Sequence, residues 1–184
     1  GIFSERDILS LKWCGMHGFP AANYALQESD CIIAIGSRFD DRTTGNVEKY
    51  APVAHEKKQI IHVDIEEKQF NKSVKSHYNI KAHADIFLEI LYEFVKEDMR
   101  LDWACKIAQL KNLYQFEFRT PPDNKINTPQ AIASINQYLQ KNDSDYHIST
   151  GVGNHQMMTY QFIEGLKPKR IHSSGSLGVM GAGL

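Results

Sequence analysis

At 184 residues the chain can bury a sizeable core, as one large domain or two small ones. Its 42% hydrophobic and 23% charged residues read as a soluble globular protein, and a net charge of -1 leaves no electrostatic reason to expect nucleic acid or an acidic membrane as partner. No apolar run approaches the roughly 20 residues of a membrane span, no signal-type leader opens the chain, and Cys14, Cys31 and Cys105, odd in number and far apart, read as buried thiols of a reducing compartment rather than disulfide or metal ligands.

In chain order, "AANYALQESD" has helical spacing and runs into "CIIAIG", a short apolar run of the kind buried on both faces of a parallel sheet. "NVEKYAPVAHEKK" is a polar crossover broken by Pro52, "QIIHVDI" (59–65) a second strand and "NIKAHAD" a short third. "DIFLEILYEFVKEDM" then sets Ile86, Phe87, Ile90, Leu91, Phe94 and Val95 on one buried stripe of a helix. Strand, crossover, strand, short strand and helix make an α/β fold, an open parallel sheet with flanking helices.

Residues 101–118 predict a further helix, and "RTPPDNKIN", with two prolines and no periodicity, marks a boundary. The expected organisation is a sheet domain over 1–100, a helix and linker over 101–126, and the start of a second α/β domain over 127–184. That second unit opens at "TPQAIASINQYLQK", with Thr128 as N-cap and Pro129 at the first helical position. "YHISTGVG" reads as a strand ending in glycines, "NHQMMTYQFIEGL" as a helix, "RIHSSG" as a strand and "GSLGVMGAGL" as a glycine-rich turn into a helix. With no initiating Met and a stop inside a glycine pattern, the chain is expected to be a piece of a longer protein.

In open α/β sheets ligands bind beyond the carboxyl ends of the strands, where glycines admit the backbone and helix N-termini offer N–H groups to anions. "AIGSRFDDRTTG" (34–45) occupies such an end. In extended chain Arg38, Asp40 and Arg42 share a face, and two guanidiniums flanking a carboxylate suit a ligand with phosphate or carboxylate groups plus hydroxyls. A solvated loop whose arginines pair with their neighbouring aspartates fits the same spacing. Asp64, at the end of the second strand, is placed either to hold a ribose hydroxyl or to cap "EEKQFNK". "GVGNHQ" and "GSLGVMGAG" have the form of phosphate-binding turns. His17, His62, His155 and His172 lie in separate elements without ligand-type pairing and read as structural or hydrogen-bonding groups; His155, beside two glycines at a strand end, is the candidate site residue among them.

Taken together, "GMHG" (15–18), "AIGSRFDDRTTGNVEKYAP", "IIHVDI", "ISTGVGNHQM" and "SSGSLGVMGAGL" resemble the large catalytic subunit of the acetolactate synthase (acetohydroxyacid synthase) family, thiamine diphosphate enzymes, over residues 13–184 in the same order. The resemblance implies a middle FAD-binding domain, a six-stranded parallel sheet in that family, followed by the truncated start of the carboxyl-terminal thiamine diphosphate domain. It implies that Gly36, Ser37, Arg38 and Asp40 contact FAD, that Met16 and His17 lie against the flavin, and that Asp64 and Ile65 surround its adenosine end. Arg42 matches the arginine near both the flavin and the carboxylate of the second 2-oxo acid. Val152, Gly153, Asn154 and His155 match the stretch meeting the thiamine diphosphate, and Gly178 and Met180 the segment under its aminopyrimidine.

The implied reaction joins two pyruvates, or pyruvate and 2-oxobutyrate, with loss of carbon dioxide, in branched-chain amino acid biosynthesis. It needs thiamine diphosphate, Mg²⁺ and FAD, the last without net redox change. A homodimer or homotetramer with a small regulatory subunit is implied, in the cytoplasm of a bacterium or in a mitochondrion or plastid. The catalytic glutamate and the metal motif are expected outside these residues, so the chain alone is expected to be inactive. Four positions depart from the family pattern: Ala82-His83 stand for a usual Gly-Asp, with Asp85 nearby, Asn154 for Gln, Met158 for Trp and Ser176 for Gly. Another FAD and thiamine diphosphate carboligase or decarboxylase, such as glyoxylate carboligase, and a non-catalytic nucleotide-binding module are the alternatives.

Overall fold

The computed structural model describes residues 3–123, 125–142, 145–165, 167–175 and 177–183. The chain divides into two compact units, one running from Cys14 to Leu113, the other combining the segment up to Trp13 with the segment from Tyr114 onward. No helix among the described residues is long and apolar enough to cross a membrane.

In the first unit, α1 (Pro20–Glu28) starts with proline at its first turn, where the missing N–H is no loss. Three parallel strands follow, β1 (Ile32–Ile35), β2 (Ile60–Asp64) and β3 (Tyr78–Lys81), in the order β1-β2-β3. Ile32 pairs with Ile60 and Ile61 with Tyr78. Between β1 and β2 lie α2 (Asp41–Thr44) and α3 (Pro52–Glu56). Pro52 therefore begins a helix where a break was expected. Ala51, fully buried at φ 47°, takes the left-handed turn that aims the chain into it. After β3 come α4 (Ala84–Phe94) and α5 (Leu101–Leu113), and Lys106 of α5 pairs with Glu28 of α1.

The core of this unit gathers Ile32, Ala34, Phe39, Tyr50, Ala51, Ala54, Ile60 and Val74. Only the middle strand is buried as a continuous apolar run: Ile60, His62 and Val63 are fully inaccessible, whereas on β1 Ile32 and Ala34 are buried and Ile33 is exposed. Burial on both faces, expected for both runs, holds for β2, with Ile61 partly covered, whereas on β1 only the face of Ile32 and Ala34 is buried. The stripe expected on α4 is likewise not buried here. Phe87 and Leu91 are half-covered, but Ile86, Ile90, Phe94 and Val95 are exposed. The cysteines are free, with Cys14 half-buried and Cys31 and Cys105 exposed rather than buried. Cys105 stands two residues, about 200° of helical rotation, from the buried Ile107.

In the second unit, α6 (Thr128–Asn142), β4 (Ile148–Thr150), α7 (Asn154–Phe162) and β5 (Ile171–Ser173) follow in order, and β4 pairs parallel with β5. Asn127, not Thr128, caps α6, its Oδ1 accepting the Gln130 amide at 2.9 Å, so the helix begins one residue earlier than predicted. The helix expected within "GSLGVMGAGL" is absent among the described residues, where the chain turns at 180–183; Gly178 and Gly181 have positive φ, which favours turns over helix.

His55 on α3 contributes to the pH behaviour of the first unit. Its ring lies edge-on to His77 at 5.5 Å, and burial first, then the neighbouring His77 and Lys75, hold its imidazole below the ordinary histidine range. Protons therefore bind the unfolded chain more readily. The stability this gives is complete above the ordinary value of 6.5 and is lost as pH falls from there through the lowered folded value. His55→Gln is expected to shrink the drop in thermal midpoint between about pH 7.5 and about pH 5.5 that histidine titration produces, read by circular dichroism. An unchanged drop would refute the assignment.

Candidate functional site

At the carboxyl end of β1, Gly36 turns the chain at φ 62° while its amide still reaches the Val63 carbonyl at 2.8 Å, so the ladder ends where the charged loop begins. A Cβ at Gly36 would meet nothing within 4 Å, leaving this approach open. The loop is not extended. Phe39 takes the left-handed region at φ 48° and drives its ring into the core, 3% exposed, edge-on to Tyr50 and His62. That turn breaks the expected two-residue alternation, and Arg42 lies inside α2.

Asp40 is the N-cap of α2. Its Oδ1 accepts the amides of Arg42 at 3.1 Å and Thr43 at 3.0 Å, and the Thr43 hydroxyl at 3.2 Å. Its other oxygen, Oδ2, lies 3.8 Å from Arg38 Nη2. Arg38 and Asp40 thus form the neighbouring pair that the solvated-loop reading describes, with both side chains partly exposed. The guanidinium-bearing Arg38 and Arg42 are both exposed at the strand end.

The "GMHG" loop, 26 residues upstream, is joined to this segment by backbone. The Met16 amide donates to the Arg42 carbonyl at 2.7 Å. Gly15, at φ 100°, makes this approach possible, because a Cβ there would fall 2.5 Å from the Arg42 carbonyl oxygen and 2.9 Å from Thr43 Cα. Asn23 of α1 clamps the same glycine from behind: its Oδ1 accepts the Gly15 amide at 2.7 Å and its Nδ2 donates to the Gly15 carbonyl at 2.9 Å. Met16, 69% exposed, and the half-buried His17 stand beside Arg42 as a result. Beneath the loop the floor is uncharged at neutral pH. Burial, opposed by a backbone hydrogen bond and helped by the Asp40 charge, pushes the Cys14 thiol up, and burial with Cys14 beside it pushes the Tyr50 phenol up to about 12.

At the end of β2, Asp64 Oδ1 accepts the Glu66 amide at 2.8 Å, an Asx turn ahead of the 3-10 segment Glu67–Gln69; the cap of that segment is Glu66, whose side chain accepts the Lys68 amide, so Asp64 does not take the capping role itself. Ile65 beside it is 59% exposed. His83 precedes α4 without a side-chain cap, and Asp85 Oδ1 accepts the amide of its own neighbour Ile86 at 2.8 Å.

The other glycine-rich cluster lies wholly in the second unit. Gly153, at φ 148°, precedes α7, whose first turn has no side-chain cap. Val152 and Gly153 are half-buried and Asn154 and His155 exposed; the His155 ring folds back until a Cβ at Gly151 or Gly153 would stand 3.3 Å from it. The segment carrying Gly178 and the 80% exposed Met180 returns to this loop, because a Cβ at Gly183 would fall 2.5 Å from the Gly151 nitrogen. Both predicted stretches are thereby brought to one strand end. Ser176 lies outside the described residues.

Several positioning residues escape a reading of motifs. Gln156 donates to Ser173 Oγ at 2.5 Å and to the Ser174 carbonyl at 3.3 Å, and Thr150 donates to the same Ser173 oxygen at 2.9 Å, tying α7 to the ends of β4 and β5. Asn23 had one available signal, a poor helix former in the middle of a helical pattern. No group of three or more metal-ligating side chains occurs among the described residues.

Residues 1–91 match the family model for thiamine pyrophosphate enzyme, central domain. The whole chain aligns at 39% identity with the mitochondrial acetolactate synthase of Schizosaccharomyces pombe, covering 29% of that protein. It aligns at 38% with the acetolactate synthase large subunit of Buchnera aphidicola subsp. Schizaphis graminum, covering 32%, and at 37% with the acetolactate synthase isozyme 1 large subunit of Escherichia coli K12, covering 31%. The chain thus spans about 30% of the length of these relatives.

Because both the clash and the positive φ at Gly15 involve backbone, Gly15→Ala is expected to destabilise the first unit by about 2 kcal/mol or more. Asn23→Ala, which leaves the Gly15 amide unpaired and its carbonyl with the Gly18 amide alone, is expected to cost about 1–3 kcal/mol. Urea denaturation of both variants checks this. A Gly15→Ala protein as stable as the parent would disprove the close approach.

Proposed function

The chain belongs to the thiamine pyrophosphate enzymes through its central domain, and on that premise we propose that it is the flavin-binding part and the opening of the thiamine diphosphate-binding part of an acetolactate synthase catalytic subunit. The complete enzyme would join two pyruvates into 2-acetolactate with release of carbon dioxide, or pyruvate and 2-oxobutyrate into 2-aceto-2-hydroxybutanoate. The observation that carries this reading is the hydrogen bond from Met16 to Arg42, which unites the "GMHG" and "RFDDR" motifs in one loop cluster beyond the parallel strands. Whole-chain identity of 37–39% to proteins named acetolactate synthase supports it.

The residues fit the cofactors. FAD carries a diphosphate and ribityl hydroxyls, and the open approach at Gly36 with two exposed guanidiniums suits both. Gly36, Ser37 and Arg38 would hold the anionic part, Met16 and His17 would face the ring system, and Asp64 with Ile65 the adenosine end. Asp40, committed to α2 and Arg38, would act by holding them in place. In the second unit Val152, Gly153, Asn154 and His155 would offer the uncapped turn of α7 to a diphosphate, with Gly178 and Met180 bordering it. Thiamine diphosphate, when bound, supplies the electron sink for decarboxylation. Mg²⁺ would bind with it through groups outside these residues, so the chain by itself would be inactive.

Arg42 would take the carboxylate of the second 2-oxo acid, the step that separates carboligation from plain decarboxylation. The names of relatives as large subunits support a small regulatory partner, and a homodimer or homotetramer is proposed. Relatives named mitochondrial and chloroplastic, beside bacterial ones, support an organelle or the bacterial cytoplasm. In the complete protein with Mg²⁺, thiamine diphosphate and FAD, acetolactate should form from pyruvate. Arg42→Ala should cut that product about 10- to 100-fold, the worth of one charge-assisted hydrogen bond, while carbon dioxide release falls far less. No acetolactate from the parent protein would sink the assignment, and equal losses would sink the role of Arg42.

A further inference from the structure

His62 is fully buried at the centre of β2, opposite Ala34 of β1 and Asn79 of β3, in a row where an apolar residue would fill the space without leaving a polar atom unpaired. Its Nε2 lies 2.8 Å from the Ser37 carbonyl, 25 residues away in sequence. A carbonyl only accepts, so Nε2 carries a proton; a second one on Nδ1 would put a charge in the core with no acceptor beside it, which leaves that nitrogen its lone pair. That Nδ1 is buried without a hydrogen-bond partner. The ring is held edge-on between Phe39 at 5.0 Å and Phe70 at 5.2 Å. A neutral, half-satisfied imidazole is an unfavourable core residue, and its one polar return is the contact with the loop.

We propose that His62 is the positioning residue of the anion-binding loop: through the Ser37 carbonyl and the Phe39 ring it fixes, from inside the sheet, where Arg38 and Asp40 stand. It touches the loop on both sides of Arg38, the carbonyl before and the ring after, while the left-handed turn at Phe39 hands the chain on to the Asp40 cap. Ligand affinity then depends on a group that the ligand never meets. As a claim about flavin binding this rests on the reading of the loop as an FAD site; as a claim about the loop it does not.

The test uses the complete protein, with FAD binding followed by quenching of flavin fluorescence. His62→Phe keeps the ring and removes the donor, and should weaken FAD about tenfold, the effect of one hydrogen bond. His62→Gln, which restores a donor near Nε2, should recover most of that loss. Nitrogen-15 NMR of the parent should show a protonated Nε2 and an unprotonated Nδ1. The amides of 37–45 should exchange faster in His62→Phe than in the parent. Protonation at Nδ1, or unchanged loop exchange together with unchanged FAD affinity in a folded His62→Phe, overturns the proposal. A complete parent protein that ignores FAD yet shows the Nε2 tautomer, with faster loop exchange in His62→Phe, would overturn the flavin reading and leave the positioning role intact.

Discussion

One backbone hydrogen bond, Met16 to Arg42, decides the geometry of the first unit's candidate site, and it exists because Gly15 has no side chain. Everything around it serves to keep two loops at contact distance. Asn23 accepts the Gly15 amide and, beside the Gly18 amide, donates to the Gly15 carbonyl, so neither group competes for Arg42 or water. Asp40 fixes the first turn of α2, so the Arg42 carbonyl points back toward Met16 while its side chain faces outward. The catalytic logic proposed for Arg42 therefore depends on a contact made by its main chain.

The second unit solves a similar problem with glycines and a hydroxyl chain. Gly183 lets backbone approach backbone at the end of β4, Gly153 leaves room for the His155 ring, and Gln156, Ser173 and Thr150 lock the strand ends to α7. Both units place their candidate residues beyond the carboxyl ends of parallel strands, where helix N-termini and strand termini leave amides unpaired.

Much of this was legible in the sequence because apolar runs bounded by polar segments are strong local signals: β1, β2 and α7 appear where the pattern puts them, and glycine motifs marked the strand ends. What was not legible depends on contacts across the chain. The alternation of Arg38, Asp40 and Arg42 fails because the core claims Phe39, and no local propensity announces a left-handed phenylalanine. Pro52 reads as a breaker until Ala51 is seen to turn the chain into it. The stripe on α4 was read correctly as apolar but not as exposed, since burial depends on what the helix meets. His62 reads from sequence as a structural or hydrogen-bonding group, and it is a hydrogen-bonding one; that its partner is Ser37 follows only from the parallel register.

The segment from Ala34 to Gly45 carries two arginines and two aspartates, so its formal charges cancel. With Arg38 beside Asp40, whose carboxylate also caps α2, the guanidiniums act at contact range and cast little field into solvent. Capture of an anion here would accordingly be governed by diffusion and fit, and its association rate would be nearly indifferent to added salt, unlike that of a pocket that draws its ligand in from afar.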